Sequence, residues 1–422
     1  MSSLPLLNPV AAPTAHAIPW RMRVDLIVRR QDSGAWVVKD PLTLNYVRLS
    51  DQEMSVLRSL DGRRTARQML QALQDIWPAS AFSVDDVSDF LGQLINSQLV
   101  VPTQPVPRTA KSDGGGRPNP RRWMSLISGL LQLRIRLLDP TPLLNAIQPW
   151  MSPGYLHAAA VATVALCVTA LWLVTLRFEL FVTNLPGPID FFGPDNLLLV
   201  MAVFVIVKMF HEAGHAVAAR CLGAECHEIG IMLVLLTPIL FTNVTDAWML
   251  NRRSRLLITA AGILVEIVLA SMATILWFFA SPGLLKALLA NVMVICTFGT
   301  IFFNGNPLLR YDGYFLLVDA IGRPNLAQRS SHRVRQLLED VLLGSRSEPL
   351  LAGDRFLLFY GIVSGIYRTL LAVAILSMLS HLFDVWNLGV LGVTVMVVAA
   401  LPLVVSPLWA FATGLLAELS FR

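Results

Sequence analysis

The sequence predicts a mainly α, polytopic membrane protein with about six transmembrane helices and a small α+β winged-helix-like N-terminal domain. Three observations predict it. First, 55% of the 422 residues are hydrophobic and only 14% are charged, with mean hydropathy +0.61. A soluble domain carries about 25% charged residues. Second, six apolar runs, at about 156–177, 195–217, 256–280, 284–303, 356–380 and 388–405, reach the roughly 20 residues that a helix needs to cross a bilayer. Third, residues 20–103 mix charged and apolar positions as a small soluble domain does.

Residues 1–19 are rich in Pro and Ala and are expected to be disordered, with no cleaved signal peptide. Val24 to Val28 and Ala35 to Val38 read as short strands around Asp32-Ser33-Gly34, and Asn45 to Leu49 as another. Ser50-Asp51-Gln52-Glu53 has the form of a capping box ahead of Met54, Leu57 and Leu60. Thr65 opens a second helix with Met69, Leu70 and Leu73. Ser83 and Asp86 open a third, and Leu99-Val100-Val101 closes the domain as a strand.

The segments Trp36-Val37-Val38-Lys39-Asp40 and Tyr46-Val47-Arg48-Leu49-Ser50, with the helix at Glu53, resemble the winged-helix domain of the pyrroloquinoline quinone biosynthesis D type. The resemblance implies recognition of leader segments of ribosomally made peptides by strand addition to a sheet edge. The segment is not strongly basic, so DNA is discounted and no nucleic-acid partner is expected.

Residues 104–122 form a Pro- and Gly-rich linker, and 123–422 the membrane domain, with its core at 195–320. Trp123 to Leu138, apolar with Arg134 and Arg136, is expected to lie along the membrane surface as an amphipathic helix. The tail 406–422 is a second interfacial candidate. Residues 218–255 and 306–355 are rich in Arg, whereas 178–194 and 381–387 contain no Lys or Arg. By the positive-inside rule the Arg-rich segments and the N-terminal domain face the cytoplasm. The expected location is a bacterial inner membrane.

The chemistry centres on His211-Glu212-Ala213-Gly214-His215, inside the second run. On a helix His211 and His215 are four apart and project from one face, where two neutral imidazoles can hold zinc. Glu212 is placed to take a proton from a water that the metal polarises. Asp312, after the fourth run, falls at a similar depth and can complete three protein ligands as a hard oxygen donor. Asp246 is a rival third ligand with less fitting surroundings. Cys221, Cys226 and His227 are not spaced as a standard structural zinc set, and the four cysteines suggest no disulfide framework. Lys208 can snorkel or act beside the site. Glu266 lies in mid-span, where its carboxyl is expected to be protonated or paired inside the bundle, with a partner the sequence does not name. His157, His332 and His381 are isolated.

The His-Glu-x-x-His helix and the later Asn306-Pro307-Leu308-Leu309-Arg310-Tyr311-Asp312-Gly313, both in a membrane setting, resemble the site-2 protease family of intramembrane zinc metalloproteases. Within it, the peptide zinc metalloprotease type, which joins the D-type winged helix to the protease core, is the nearest likeness. The resemblance covers roughly residues 195–320. It implies Zn2+ on His211, His215 and Asp312, Glu212 as the catalytic base, and Asn306 bonding substrate or fixing its loop. It also implies an extended stretch near 228–250 that could hold an unwound substrate. The chain shows no evident PDZ domain, and Tyr314 stands where a second Gly is common in the family. The activity implied is intramembrane hydrolysis of a membrane-associated or ribosomally made peptide, with the lipid bilayer and a peptide-export or adaptor protein as partners. The alternative is a non-proteolytic zinc-binding component of a peptide maturation or export system.

Overall fold

The computed structural model describes residues 20–31, 34–41, 45–64, 68, 71, 84–103, 134–150, 153–234, 237–343, 352–385 and parts of 388–397. The expected helix at 65–73, the linker, residues 123–133, most of the run at 388–405 and the tail lie outside these residues. The described chain divides into two compact units. One contains residues 20–103 with Thr245–Arg252, and the other runs over 134–244 and from 253 onward.

Among its described residues, the first unit is built from short strands and helices. Strands β1 (Trp20–Met22) and β5 (Val100–Pro102) pair antiparallel, and β2 (Ile27–Arg30), β3 (Trp36–Lys39) and β4 (Tyr46–Leu49) form an antiparallel sheet in that order. The expected strand at Val24 to Val28 begins later, at Ile27, with Val24 and Asp25 in a turn, and β1 precedes it. Arg23 turns out of line between them, its guanidinium held by Asp25 and, through both terminal nitrogens at 2.9 Å, by the buried carboxylate of Asp40. A planar fork on a carboxylate fixes direction as well as charge. Helix α1 (Asp51–Ser59) starts as the sequence predicts. The Ser50 hydroxyl accepts the Glu53 N–H, and Glu53 reaches back to the Ser50 N–H. Helix α2 (Val84–Asn96) and α1 close on the sheet, burying Val38, Leu49, Met54, Leu57, Leu94 and Leu99. The 3₁₀ turn Thr245–Met249 belongs to this unit. The Asp246 carboxylate receives Lys39 Nζ and Tyr46 Oη, each at 2.9 Å, while Arg29 and Gln31 donate to the Met249 and Trp248 carbonyls.

The second unit is helical. Five described helical stretches are long and apolar enough to cross a membrane: Ala158–Leu176, Pro194–Cys221, Arg252–Phe279, Leu284–Asn304 and Gly353–Asp384. They lie in α4 (Pro153–Leu176), α5 (Pro194–Cys221), α6 (Arg252–Phe279), α7 (Leu284–Phe298) with its π-helical extension Gly299–Asn304, and α10 (Ala352–Val385). Many of their apolar side chains, such as Leu198, Phe204, Leu276 and Phe359, are exposed, as expected of surfaces bathed in lipid.

A three-stranded antiparallel sheet accompanies them, in the order β6 (Arg134–Leu138), β7 (Ile229–Val234) and β8 (Thr237–Thr242). Strand β6 corrects the expected interfacial helix over its last five residues. Arg134-Ile135-Arg136-Leu137 alternates with period two, which suits a strand, and its partner Ile229–Met232 lies some 90 residues on, beyond the reach of a local reading.

Candidate metal centre

Helix α5 carries His211 and His215 on its buried face, as four-residue spacing requires. Its neighbour α6 approaches closely because Gly214 has no side chain; a Cβ there would lie 2.7 Å from Val265 Cγ2 and 3.2 Å from the Ala261 carbonyl. At that crossing three positions of α6, spaced by four, meet the histidines. The Ile258 carbonyl accepts from His215 Nδ1 at 2.8 Å. Gly262 lies against both rings. A Glu266 carboxylate oxygen sits 3.0 Å from His211 Nδ1.

A carbonyl can only accept, so His215 carries a proton on Nδ1, and in the neutral ring Nε2 keeps its lone pair. The carboxylate beside His211 Nδ1 favours the same tautomer. The two Nε2 atoms then face each other at 3.2 Å with no proton between them.

Asp312 joins them from α8 (Asp312–Ile321). Its Oδ2 lies 3.0 Å from His211 Nε2 and 3.3 Å from His215 Nε2, and it is buried without a hydrogen bond. The loop that delivers it is fixed at several points. The Asn306 side-chain oxygen accepts the Leu308 N–H at 2.9 Å, closing the Asn-Pro turn. From α10, the Tyr360 and Ser364 hydroxyls donate to the Pro307 and Leu308 carbonyls. Gly313 admits no side chain, because a Cβ would run into the Gly305 carbonyl oxygen. Arg255 on α6 pairs with Asp319 and tethers α8.

Three electron-pair donors, two of them neutral, therefore converge on one point. Such a set repels itself unless a cation fills it. Donors bound tetrahedrally at 2.0–2.1 Å stand about 3.3 Å apart, and the three separations here are 3.0, 3.2 and 3.3 Å. The residues fit a small divalent cation with one position left open. Among the described residues, this is the His/Cys/Asp/Glu group that could hold a metal.

Glu212 is half-buried beside this triangle, and the Thr242 hydroxyl at the end of β8 donates to its backbone carbonyl at 3.1 Å. Asp246 is not a ligand of this group; it is engaged by Lys39 and Tyr46. Lys208 does not reach outward as a free cation but donates to Glu266 at 2.7 Å. His227 lies by Glu225 and Thr141. The sequence reading missed Ile258, Gly262, Thr300 and Asn304. The spacing 258–262–266 on one helix is the signal that could have found two of them.

A protein of Bacillus subtilis (strain 168) named "Putative peptide zinc metalloprotease protein YydH" is 22% identical to the chain over 129 residues, covering 30% of this chain and 50% of that protein. The chain thus spans about half the length of that relative. No protein-family model and no solved structure matches. The likeness extends to a zinc metalloprotease-like family, and the helices give the chain the character of a membrane protein.

Proposed function

We propose that the chain is an intramembrane zinc metalloendopeptidase of the site-2 protease kind. The observation that carries this reading is the triangle of His211 Nε2, His215 Nε2 and Asp312 Oδ2 at tetrahedral donor spacing, in a helical unit of membrane-spanning character. The relative's name supports zinc. Zinc, when bound, supplies a Lewis acid that brings the pKa of a water toward ~7.

His211, His215 and Asp312 would hold the ion. Glu212, next along the helix, accepts a proton from the attacking water and delivers one to the departing amine nitrogen. The β7–β8 hairpin, running to Thr242 beside Glu212, offers an edge on which a substrate can lie extended; helical backbone would keep its carbonyls occupied. Asn306 fixes the loop that carries Asp312.

Residues 20–103 act as a winged-helix-like peptide-recognition domain, binding a leader or membrane-associated peptide on a sheet edge. Arg-rich segments set this domain and the active site toward the cytoplasm of a bacterial inner membrane. The substrate is a membrane-associated or ribosomally made peptide, handed on to or received from an export or adaptor protein, and no nucleic acid is involved.

The test is Glu212→Gln in the full chain, reconstituted in vesicles and assayed on unstructured casein and on single-span reporter peptides. Cleavage by the wild type, lost in E212Q with zinc content unchanged, is the expected result. Equal cleavage by E212Q removes the assigned mechanism. No cleavage by either, with zinc bound, favours a non-proteolytic zinc component of peptide maturation.

A further inference from the structure

Glu266 is 1% exposed in the middle of an apolar helix, a costly place for a carboxylate. Four donors from two other elements converge on it. Lys208 Nζ on α5 lies 2.7 Å from Oε1, and Asn304 Nδ2 lies 2.6 Å from the same oxygen. Thr300 Oγ1 lies 2.5 Å from Oε2. The fourth is His211 Nδ1, 3.0 Å from Oε1 and buried without a straight hydrogen bond of its own.

Thr300 and Asn304 face Glu266 because α7 ends in a π-helical turn, closed by Gly305 N–H donating to the Thr300 carbonyl at 2.7 Å. Such wide turns recur at functional sites. Helix packing alone does not require this cluster. The same helices α5 and α7 are already joined by a reciprocal amide pair, Asn196 with Asn291, at 2.9 and 3.2 Å.

We propose that Glu266 is a positioning residue of the metal centre: held by Lys208, Thr300 and Asn304, its carboxylate holds the Nδ1 edge of His211 and aims Nε2 at the point shared with His215 and Asp312. Lys208 balances its charge, so the carboxylate is fixed without becoming a ligand itself. A metal-binding imidazole commonly presents its second nitrogen to a carboxylate, and losing such a partner weakens metal binding by roughly 10–100-fold. The inference rests on the metal centre proposed above.

The test uses the full-length protein in detergent and reads two quantities. One is zinc affinity by competition with a chelating dye; the other is the visible spectrum of the cobalt(II)-loaded protein, which reports ligand geometry. Glu266→Gln keeps the side-chain size and hence the packing, whereas Glu266→Ala opens a cavity. If E266A fails to fold, E266Q decides alone. Asn291→Ala, which breaks the amide pair away from the site, is the control for general loosening, and His215→Ala is the control for the centre itself.

The expected result is zinc binding weakened roughly tenfold or more in E266Q, with a shifted cobalt spectrum, while N291A binds as the wild type. Wild-type affinity and spectrum in E266Q overturn the proposal, and so does an equal loss in N291A. If H215A keeps wild-type affinity, the metal centre itself is wrong. If H215A loses zinc and E266Q does not, only the role of Glu266 falls.

Discussion

Gly262 lies against His211 so closely that a Cβ on the glycine would fall 2.5 Å from the imidazole Cε1 and 2.6 Å from Nε2. The same methyl would stand 2.5 Å from His215 Nε2. Real Cβ atoms do not approach so near, and neither ring can retreat freely. One is held at Ile258 and the other beside Glu266. The bare face of α6 is therefore part of the metal centre, although glycine offers no ligand.

Gly262→Ala is expected to abolish zinc binding while leaving the membrane helices in place, since alanine favours a helix over glycine by about 1 kcal/mol. Metal analysis of the purified variant, beside helical content by circular dichroism, checks it. Full zinc occupancy in G262A would mean that the rings do not sit as described.

Metal removal is expected to loosen the second unit. A ligand present at 100 times its Kd stabilises the state that binds it by about 2.7 kcal/mol. Here the ion would bridge α5 and α8, so stripping it with a chelator should lower the thermal transition and speed amide exchange around Asp312–Ile321. Restoring zinc should reverse both, and Asp312→Ala should make the protein indifferent to chelator. A transition that does not move on chelation counts against a bridging ion.

The buried pair Lys39–Asp246 offers a test within the first unit. The two side chains are 6% and 10% exposed, at 2.9 Å. Removing one partner of a buried pair leaves an uncompensated charge and costs about 3–5 kcal/mol, whereas replacing both by apolar residues costs far less. Asp246→Ala is therefore expected to expose residues 20–103 to protease more than the double variant Lys39→Met with Asp246→Leu does. Hydrogen exchange on β3 and β4 gives the same comparison. Equal protection in D246A and wild type would show that the pair contributes nothing to the unit.

Much of this protein is written in local spacing. The capping box at Ser50 and Glu53 is a matter of three residues, and it forms. The pairing of His211 with His215 on one face follows from the helical repeat alone. Apolar runs of bilayer length gave five spans that match described helices to within a few residues, because length and composition suffice for a helix that must satisfy its own backbone.

The sequence by itself thus determined that there would be helices long and apolar enough to cross a membrane, that two imidazoles would share a face, and that Asp312 was available to meet them. Only the tertiary structure decided that Ile258, Gly262 and Glu266 form the wall opposite the histidines, that Lys208 turns inward to Glu266, that Asp246 belongs with Lys39, and that Arg134–Leu138 is a strand. The reason is physical. In a helix apolar on every side, hydropathy does not mark the face that turns inward, since lipid and protein interior are alike to a leucine. Rotation about each helix axis is chosen by where small residues permit close crossing and where buried polar groups find partners, and those choices pair residues far apart in the chain, such as His215 with Ile258 and Asn196 with Asn291.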